Sequence, residues 1–294
     1  MKISEALQKG VEMLKKSDSD IALPLLEAQL ILAYIADKSR EALIASDRNE
    51  LDIRQKTAYF SAVKKRVHGC PMAYITGKKE FMDLTFMVDE NVLIPRDDTE
   101  ILVECVLDCS AKKEGKIEIL NIGAGSGCIE VALASRNKNI FITGVDKYEK
   151  ALQVAAKNIE HYELQNQITL LQSDMFSAIH PSRRFDIICS NPPYISKEEL
   201  QHLSIDVAAY EPIAALYGGN DGLDFYRRIA QESKNFLKAT GSLIVEIGCS
   251  QAESVKRIYY ENGFVNLYCK QDFSGRNRVI CSNVYKKRTV DPFF

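Results

Sequence analysis

The sequence predicts an α/β protein in which a mostly parallel sheet, with an antiparallel last strand, follows a small bundle of helices. Short apolar runs alternate with helical segments from residue 116 onward. By contrast, residues 1–75 show helical periodicity and no strand pattern. Only residues 270–278 separate the last two strand-like runs, and a parallel crossover needs about a dozen residues or more. These two strands are therefore predicted to be antiparallel neighbours.

Residues 1–75 are predicted to form a separate helical domain. Leu7, Val11 and Leu14 fall on one face of a first helix. Pro24 suits the first turn of a second helix, which is apolar almost all round and is therefore expected at the centre of the bundle. Two further helices are predicted over residues 40–45 and 53–67.

Residues 76–100 are predicted to form a linker with a short β-hairpin, drawn from residues 74–77 and 81–88, which leads into a helix near Asp98. Residues 101–294 then form the sheet domain. Its strands are predicted over residues 117–122, 140–145, 168–171, 185–189, 243–247, 265–269 and 279–285. Its main helices are predicted over residues 129–135, 147–162 and 223–237.

Composition narrows the class of protein. With 46% hydrophobic and 27% charged residues the chain reads as globular, and a net charge of −2 disfavours stable binding to nucleic acid by charge. Eight cysteines without a Cys-x-x-Cys pair, and only four histidines, predict buried free thiols in a reducing cytoplasm and no metal site. The sequence shows no signal-peptide core and no apolar run near the ~20 residues of a membrane span. A monomer is expected.

A glycine loop is predicted to bind the polar end of a cofactor. Gly123, Gly125 and Gly127, with Ala124 and Ser126 between them, follow the first strand of the sheet. In an open α/β sheet, ligands bind beyond the carboxyl ends of the strands. The helix that follows points its positive dipole end at the same place, which suits a carboxylate or a phosphate. A tight strand–helix turn without a ligand is the alternative.

Acidic residues end the next two strands. Asp146 lies about twenty residues beyond the glycines, where a carboxylate can accept hydrogen bonds from ribose hydroxyls. Asp174 ends the third strand and can accept from an adenine amine, while Met175 and Phe176 sandwich the ring. The alternatives are a helix N-cap for Asp146 and core packing for Met175 and Phe176. Together with the glycine loop, these residues indicate an adenosyl cofactor.

The tetrapeptide Asn191-Pro192-Pro193-Tyr194 is predicted to hold the acceptor and to be catalytic. It follows an apolar strand-like run. The two prolines make the backbone stiff and acceptor-only, and Tyr194 adds a flat face. A planar NH2 group can lie on Tyr194 and donate to the side-chain oxygen of Asn191 and to the carbonyl of Pro192. Beside an adenosyl cofactor, this arrangement predicts methyl transfer from S-adenosylmethionine, with S-adenosylhomocysteine as product.

The chain resembles the class I S-adenosylmethionine-dependent amino-methyltransferases, which have a Rossmann-like sheet. Further motifs narrow the resemblance to the HemK/PrmC release-factor glutamine methyltransferases, over nearly the whole chain. These motifs cover residues 69–77, 93–100, 172–176, 210–212, 218–223 and 275–278.

The resemblance implies methylation of the glutamine side chain in the Gly-Gly-Gln loop of class 1 peptide chain release factors. It assigns cofactor binding to Gly123, Ala124, Gly125, Ser126, Gly127, Asp146, Asp174, Met175 and Asn191. Asn191, Pro192, Pro193 and Tyr194 would bind the substrate glutamine, and the domain of residues 1–75 would dock the release factor.

Three residues depart from the family pattern. Asn121 stands where the family usually has Asp, so a contact with the methionine amino group is expected to be weaker. Asp97 replaces a proline, and Met175 replaces a common aromatic residue.

Other activities share parts of this pattern. A glutamine methyltransferase acting on a ribosomal protein, and an amino-methyltransferase acting on a nucleic-acid base, use the same or related acceptor motifs. The second would normally carry a basic recognition domain, whereas residues 1–75 have 12 Lys and Arg against 10 Asp and Glu. A dinucleotide-dependent dehydrogenase would explain the glycines and Asp146 but not residues 191–194.

Overall fold

The computed structural model describes residues 1–17 and 21–284. They divide into two compact units. The first consists of Met1–Lys78, Val88–Glu90 and Leu203–Glu211, and the second of Lys79–Met87, Asn91–His202 and the described chain from Pro212 onward.

The first unit is helical. Its helices are α1 (Ile3–Leu14), α2 (Pro24–Ala36), α3 (Arg40–Ala45), α4 (Ile53–Val67), α5 (Met72–Thr76) and a later segment, Ile205–Tyr210, which is α9 in chain order. Pro24 does begin α2, and α2 packs against the other four N-terminal helices as its apolar sequence predicted. It buries one face and leaves Leu25, Leu30 and Tyr34 exposed on the rest of its surface.

Local signals set the helix ends of this unit. Asp52 and Gln55 form a capping box at the start of α4, and the Ser39 hydroxyl accepts a hydrogen bond from the first turn of α3. Both helices therefore have the predicted bounds. Between α2 and α4, Arg66 and Glu27 form a two-pronged, mostly buried ion pair.

The second unit contains a hairpin and a seven-stranded sheet. The hairpin pairs β1 (Lys78–Phe81) with β2 (Leu84–Met87). The sheet has the order β5-β4-β3-β6-β7-β9-β8, and only β9 runs antiparallel to its neighbours. Its strands are β3 (Ile117–Ile122), β4 (Ile140–Asp146), β5 (Ile168–Gln172), β6 (Phe185–Ser190), β7 (Leu237–Glu246), β8 (Phe264–Gln271) and β9 (Asn277–Val284).

Helices cover both faces of this sheet. They are α6 (Glu100–Ser110), α7 (Cys128–Arg136), α8 (Glu149–His161), α10 (Asp224–Ser233) and α11 (Ala252–Glu261), with short 3₁₀ turns at Asp97–Thr99, Glu199–His202 and Ile213–Ala215. Ile117 and Ile119 of β3 pack in the core cluster that contains α6 and α7. Leu120 and Ile122 pack in the other, with α10 and α11. A strand that is buried on both faces forms a nearly continuous apolar run. This is why the sequence predicted β3 correctly.

The predicted fold class is confirmed, with local corrections. Residues 74–76 are helical and belong to α5, not to the hairpin. Residue 237 was expected to end a helix, but β7 begins there and is six residues longer at its start than predicted. Tyr285, expected in the last strand, lies outside the described residues. No helix in the described parts of the chain is long and apolar enough to cross a membrane.

Candidate active site

The glycine loop folds back onto the end of β4. Gly123 and Ala124 both donate their backbone N–H to the carbonyl of Val145, at 2.8 and 2.9 Å. Gly125 has a φ of 54°, and a Cβ placed there would meet no atom of the described residues within 4 Å. The loop therefore presents bare backbone into open space at Gly125, where a ligand could approach.

The loop then leads directly into α7. Ser126 is buried, and its carbonyl accepts a hydrogen bond from the side chain of Asn158 in α8 at 2.8 Å. Gly127 is the N-cap of α7 and has no side chain with which to satisfy the first N–H groups of the helix. Burial raises the pKa of the Cys128 thiol to about 12, so this thiol is neutral. The positive end of the α7 dipole is thus left available for an anionic group.

Asp146 ties the glycine loop to the end of β4. Its Oδ2 accepts from the N–H of Gly125 and its Oδ1 from the N–H of Tyr148, each at 2.9 Å. Burial raises the pKa of Asp146, against the effect of these backbone hydrogen bonds. The N-cap of α8 is Tyr148, so Asp146 is not the N-cap that the alternative interpretation required. The carboxylate still has acceptor capacity for a ligand, because its two oxygens offer about four lone-pair sites.

Asp174 is held by two cations. Its carboxylate pairs with Lys147 at 3.0 Å and with Arg228 at 2.9 Å. Hydrogen bonds from these two side chains lower the pKa of Asp174. The carboxylate remains partly exposed, so it is fixed in place as a charged acceptor.

Met175 and Phe176, which follow Asp174, are buried in the core. Met175 is buried with a φ of 56°, a conformation that costs a side chain about 1–2 kcal/mol. The Ser173 hydroxyl holds this turn by donating to the carbonyl of Met175 at 2.8 Å. Phe176 is buried and stacks on Phe236, with ring centroids 5.1 Å apart. Phe176 is therefore packed in the core, as the alternative interpretation had it, and its contact with an adenine ring stays a prediction.

The acceptor motif follows β6, which lies between β3 and β7 in the sheet. A Cβ at Gly123 would lie 3.8 Å from the backbone carbonyl oxygen of Asn191, so the glycine loop and the motif are adjacent. Pro192 is buried, whereas Asn191, Pro193 and Tyr194 are partly exposed. Burial raises the pKa of Tyr194, which keeps its hydroxyl neutral. The structure thus brings the two predicted halves of the site together.

A second glycine loop presses against this motif. A Cβ at Gly218 would lie 2.7 Å from the carbonyl oxygen of Pro193, and a Cβ at Gly222 would collide with the carbonyl oxygen of Tyr194. Gln251 donates from its Nε2 to the same Tyr194 carbonyl at 2.9 Å. The backbone of the motif is therefore clamped by residues to which the sequence analysis assigned no role.

Two more residues lie beside Asn191, Thr99 and Glu246, and no role was predicted for either from the sequence. Thr99 accepts a hydrogen bond from Asn191 Nδ2 at 3.0 Å. Glu246 ends β7 and is buried, which raises its pKa to about 7 against the effects of Thr99, Arg278 and Asn191. The available signals were the motif of residues 93–100, which contains Thr99, and an acidic residue directly after the apolar residues 243–245 of β7.

Asn121 does not reach the ligand face of the glycine loop. It is fully buried in β3 and donates from Nδ2 to Glu130 Oε1 of α7 at 2.7 Å. This burial agrees with the expectation that a contact with the methionine amino group is weaker here, which stays a prediction. Asp97, another departure, is exposed and pairs with Lys79 at 2.9 Å.

A cavity of about 440 Å³ lies away from these residues, lined by Cys109, Ser242, Tyr268, Lys270 and others near the start of β7. It contains none of the predicted site residues. Within residues 1–17 and 21–284, no three His, Cys, Asp or Glu side chains come together as a metal-binding group.

Comparison with known proteins gives two matching family models. Residues 5–77 match the PrmC N-terminal domain and residues 97–209 the methyltransferase small domain. A release factor glutamine methyltransferase of Clostridium acetobutylicum is 38% identical, over 95% of this chain and 98% of the relative. Its namesake in Clostridium botulinum is 37% identical, over 97% and 100%. A methyltransferase structure from Pyrococcus furiosus has a TM-score of 0.50 at 15% identity, covering 67% of this chain and 87% of that one, which shows the fold alone.

Because the backbone at Gly222 packs closely against the acceptor motif, we expect a side chain at this position to lower the stability of the fold. Gly222 and Gly115 have nearly equal φ values, +73° and +71°, but a Cβ at Gly115 would meet no described atom within 4 Å. Gly115→Ala should lower the free energy of unfolding by about 1–2 kcal/mol, because only the backbone is strained. Gly222→Ala should cost a further ~1–3 kcal/mol from overpacking. Equal losses in chemical denaturation would show that the loop has room for a side chain.

Proposed function

The chain belongs to the release factor glutamine methyltransferase family, and on this premise we propose that it methylates the glutamine side-chain amide in the Gly-Gly-Gln loop of class 1 release factors. Family membership, first indicated by the sequence motifs, is confirmed by relatives that match nearly the whole chain. The observation that carries the proposal is the adjacency of the glycine loop and residues 191–194 at the carboxyl ends of β3 and β6. A monomer acting in the cytoplasm is part of the proposal.

The cofactor end fits S-adenosylmethionine. The open backbone at Gly125 and the uncapped start of α7 suit its amino-acid carboxylate. Asp146 would accept from the ribose hydroxyls, while Asp174 and the backbone at Met175 would hold the adenine. S-adenosylmethionine, when bound, supplies an electrophilic methyl group.

The acceptor end fits a primary amide. The substrate amide has two N–H donors, and Asn191 Oδ1 and the Pro192 carbonyl would accept them. Tyr194 would support the flat face of the amide with its neutral ring. Because Gly218, Gly222 and Gln251 clamp the motif backbone, these acceptors need not reorganise when substrate arrives.

Positioning accounts for most of the proposed catalysis. An amide nitrogen is a poor nucleophile because its lone pair is conjugated with the carbonyl. Acceptors that hold its two protons favour the pyramidal nitrogen of the transition state, and alignment can contribute about 7–11 kcal/mol. No strong base is required, because the nitrogen-bound proton becomes acidic once the methyl group has moved.

The helical unit is proposed to dock the release factor. Its helix α2 leaves Leu30 and Tyr34 exposed one turn apart, at 41% and 48% of their full accessibility. Apolar side chains left on the surface of a helix can seat on a protein partner. A folded release factor, which presents far more surface than its Gly-Gly-Gln loop, is the occupant to which this proposal commits.

The direct test is methyl transfer from labelled S-adenosylmethionine to a purified class 1 release factor, with a Gly-Gly-Gln to Gly-Gly-Ala variant alongside. We expect label on the wild-type factor alone. Label on both factors would contradict the choice of acceptor residue. Label on neither, with cofactor binding demonstrated calorimetrically, would move the substrate to ribosomal proteins or nucleic-acid bases, which the same assay can screen.

Two variants should separate the cofactor end from the acceptor end. Asn191→Ala should reduce kcat at least about a hundredfold, because it removes one preorganised acceptor, with little change in the cofactor Kd. Asp146→Ala should raise that Kd about ten- to hundredfold, since a lost hydrogen bond to a charged group costs about 1.5–3 kcal/mol. Similar turnover in Asn191→Ala and wild type would refute the acceptor role. An unchanged Kd in Asp146→Ala would make Asp146 purely structural.

The docking surface can be tested with the double variant Leu30→Ser, Tyr34→Ser. It should raise KM for the intact release factor about tenfold or more, because anchor residues of interfaces typically contribute ~2 kcal/mol. Its KM for a short Gly-Gly-Gln peptide, which reaches only the acceptor motif, should not change. Tyr260→Ser, which removes an exposed aromatic residue from α11, is the matched control. An unchanged KM for the intact factor would remove α2 from the docking surface.

A further inference from the structure

A buried acid stands directly behind the acceptor motif. Glu246 is 1% exposed at the carboxyl end of β7, next to β6. Its Oε2 has no hydrogen-bond partner among the described residues. A buried carboxylate is costly unless it is well paired, so its presence beside Asn191 calls for a physical account.

Thr99 and Asn191 are polar neighbours of Glu246. Asn191 donates from Nδ2 to Thr99 Oγ1 at 3.0 Å. The side chains of Thr99 and Asn191 both lower the pKa of Glu246, as groups that direct hydrogen-bond donors at a carboxylate do. The NH2 group of Asn191 therefore points to the protein side, toward Thr99, and Oδ1 is left to face the acceptor site.

The direction of these bonds matters because an asparagine amide can rotate by half a turn. The rotated side chain has nearly the same shape but would present NH2, a donor, to the substrate NH2 group. A carboxylate has only acceptor atoms, so ionised Glu246 favours the orientation in which Nδ2 points toward it. A protonated or amide side chain at this position could satisfy either orientation.

We propose that Glu246, acting with Thr99, is a positioning residue that locks the Asn191 amide with its oxygen toward the substrate glutamine. This inference rests on the methyl transfer proposed above and assigns to that reaction two residues that do not touch the substrate. Arg278 supports the arrangement from β9, where it pairs with Asp98 at 2.9 Å and with Asp272 at 3.1 Å.

The lock is sensitive to pH in a defined direction. Burial raises the pKa of Glu246 to about 7, so the carboxylate is protonated below this pH and ionised above it. The charged or titratable groups around Glu246 are Arg278 of β9, Asp98 before α6, Cys128 of α7, Tyr194 after β6 and Tyr226 of α10. Burial raises the pKa of Cys128, Tyr194 and Tyr226, so these three stay neutral as Glu246 titrates. Turnover should therefore fall as the pH drops through about 7.

Three variants test the lock through turnover. Thr99→Val keeps the volume of the side chain but removes the hydroxyl, and should lower kcat about ten- to hundredfold, the scale on which misplaced reacting groups lose rate. Thr99→Ser restores the hydroxyl and should recover most of this loss. Glu246→Gln should lower kcat similarly and abolish the fall in turnover near pH 7. The cofactor Kd and the unfolding temperature should stay close to wild type in all three.

A second measurement does not depend on activity. In the full-length protein labelled with ¹⁵N, the Asn191 side-chain NH2 resonance, assigned by its loss in Asn191→Asp, should shift with a midpoint near pH 7 in wild type and not in Glu246→Gln. A resonance that does not respond to pH in wild type would overturn the inference, as would full kcat in Thr99→Val. A wild-type enzyme that methylates no release factor, yet shows this titration, would refute the proposed substrate and leave the lock standing.

Discussion

The site depends on the close approach of three backbone segments: the cofactor loop after β3, the acceptor motif after β6 and the loop of residues 218–222 before α10. The acceptor motif lies between the cofactor loop and the loop of residues 218–222, with so little space that a single Cβ at Gly218 or Gly222 would overlap the motif. A proline-stiffened tetrapeptide has few conformations of its own. Its position is therefore set by the absence of side chains in the segment that packs against it.

Two buried acids complete this arrangement, and each faces an asparagine. Glu130 lies under the cofactor loop against Asn121, and Glu246 lies behind the acceptor motif against Asn191. Burial raises the pKa of both acids to about 7. The pairing explains why Asn121 suits this chain: an aspartate there would face Glu130, and two adjacent carboxylates disfavour each other's ionised forms. Acidic residues with strongly shifted pKa values concentrate at functional sites. There the benefit of orienting a neighbouring side chain outweighs the cost of a buried acid in stability.

The parts of the fold that the sequence predicted correctly are those with strong local signals. The strands β3 and β4 are buried on both faces and form nearly continuous apolar runs, while α4 begins at a capping box. The wrong predictions of secondary structure lie where the local propensity of the residues differs from the structure that their tertiary contacts impose. Tyr74, Ile75 and Thr76 favour strands, yet Gly77 ends a one-turn helix there in the left-handed conformation. The first half of β7 was hidden because residues 238–240 are partly or fully exposed and Gly241 follows them.

The sequence predicted only those parts of the candidate site whose residues are consecutive in the chain. The loop of residues 123–127 and the motif of residues 191–194 each combine unusual residue types in a short segment, so a role for each could be predicted from the sequence alone. The partners of Asn191 could not, because Thr99 lies 92 residues away in the chain. Glu246 comes next to Asn191 only because β7 follows β6 in the sheet order, a fact of topology and not of local sequence. The sequence alone therefore does not show whether an acidic residue after an apolar strand belongs to the site. Its role depends on which strand ends beside it in the sheet.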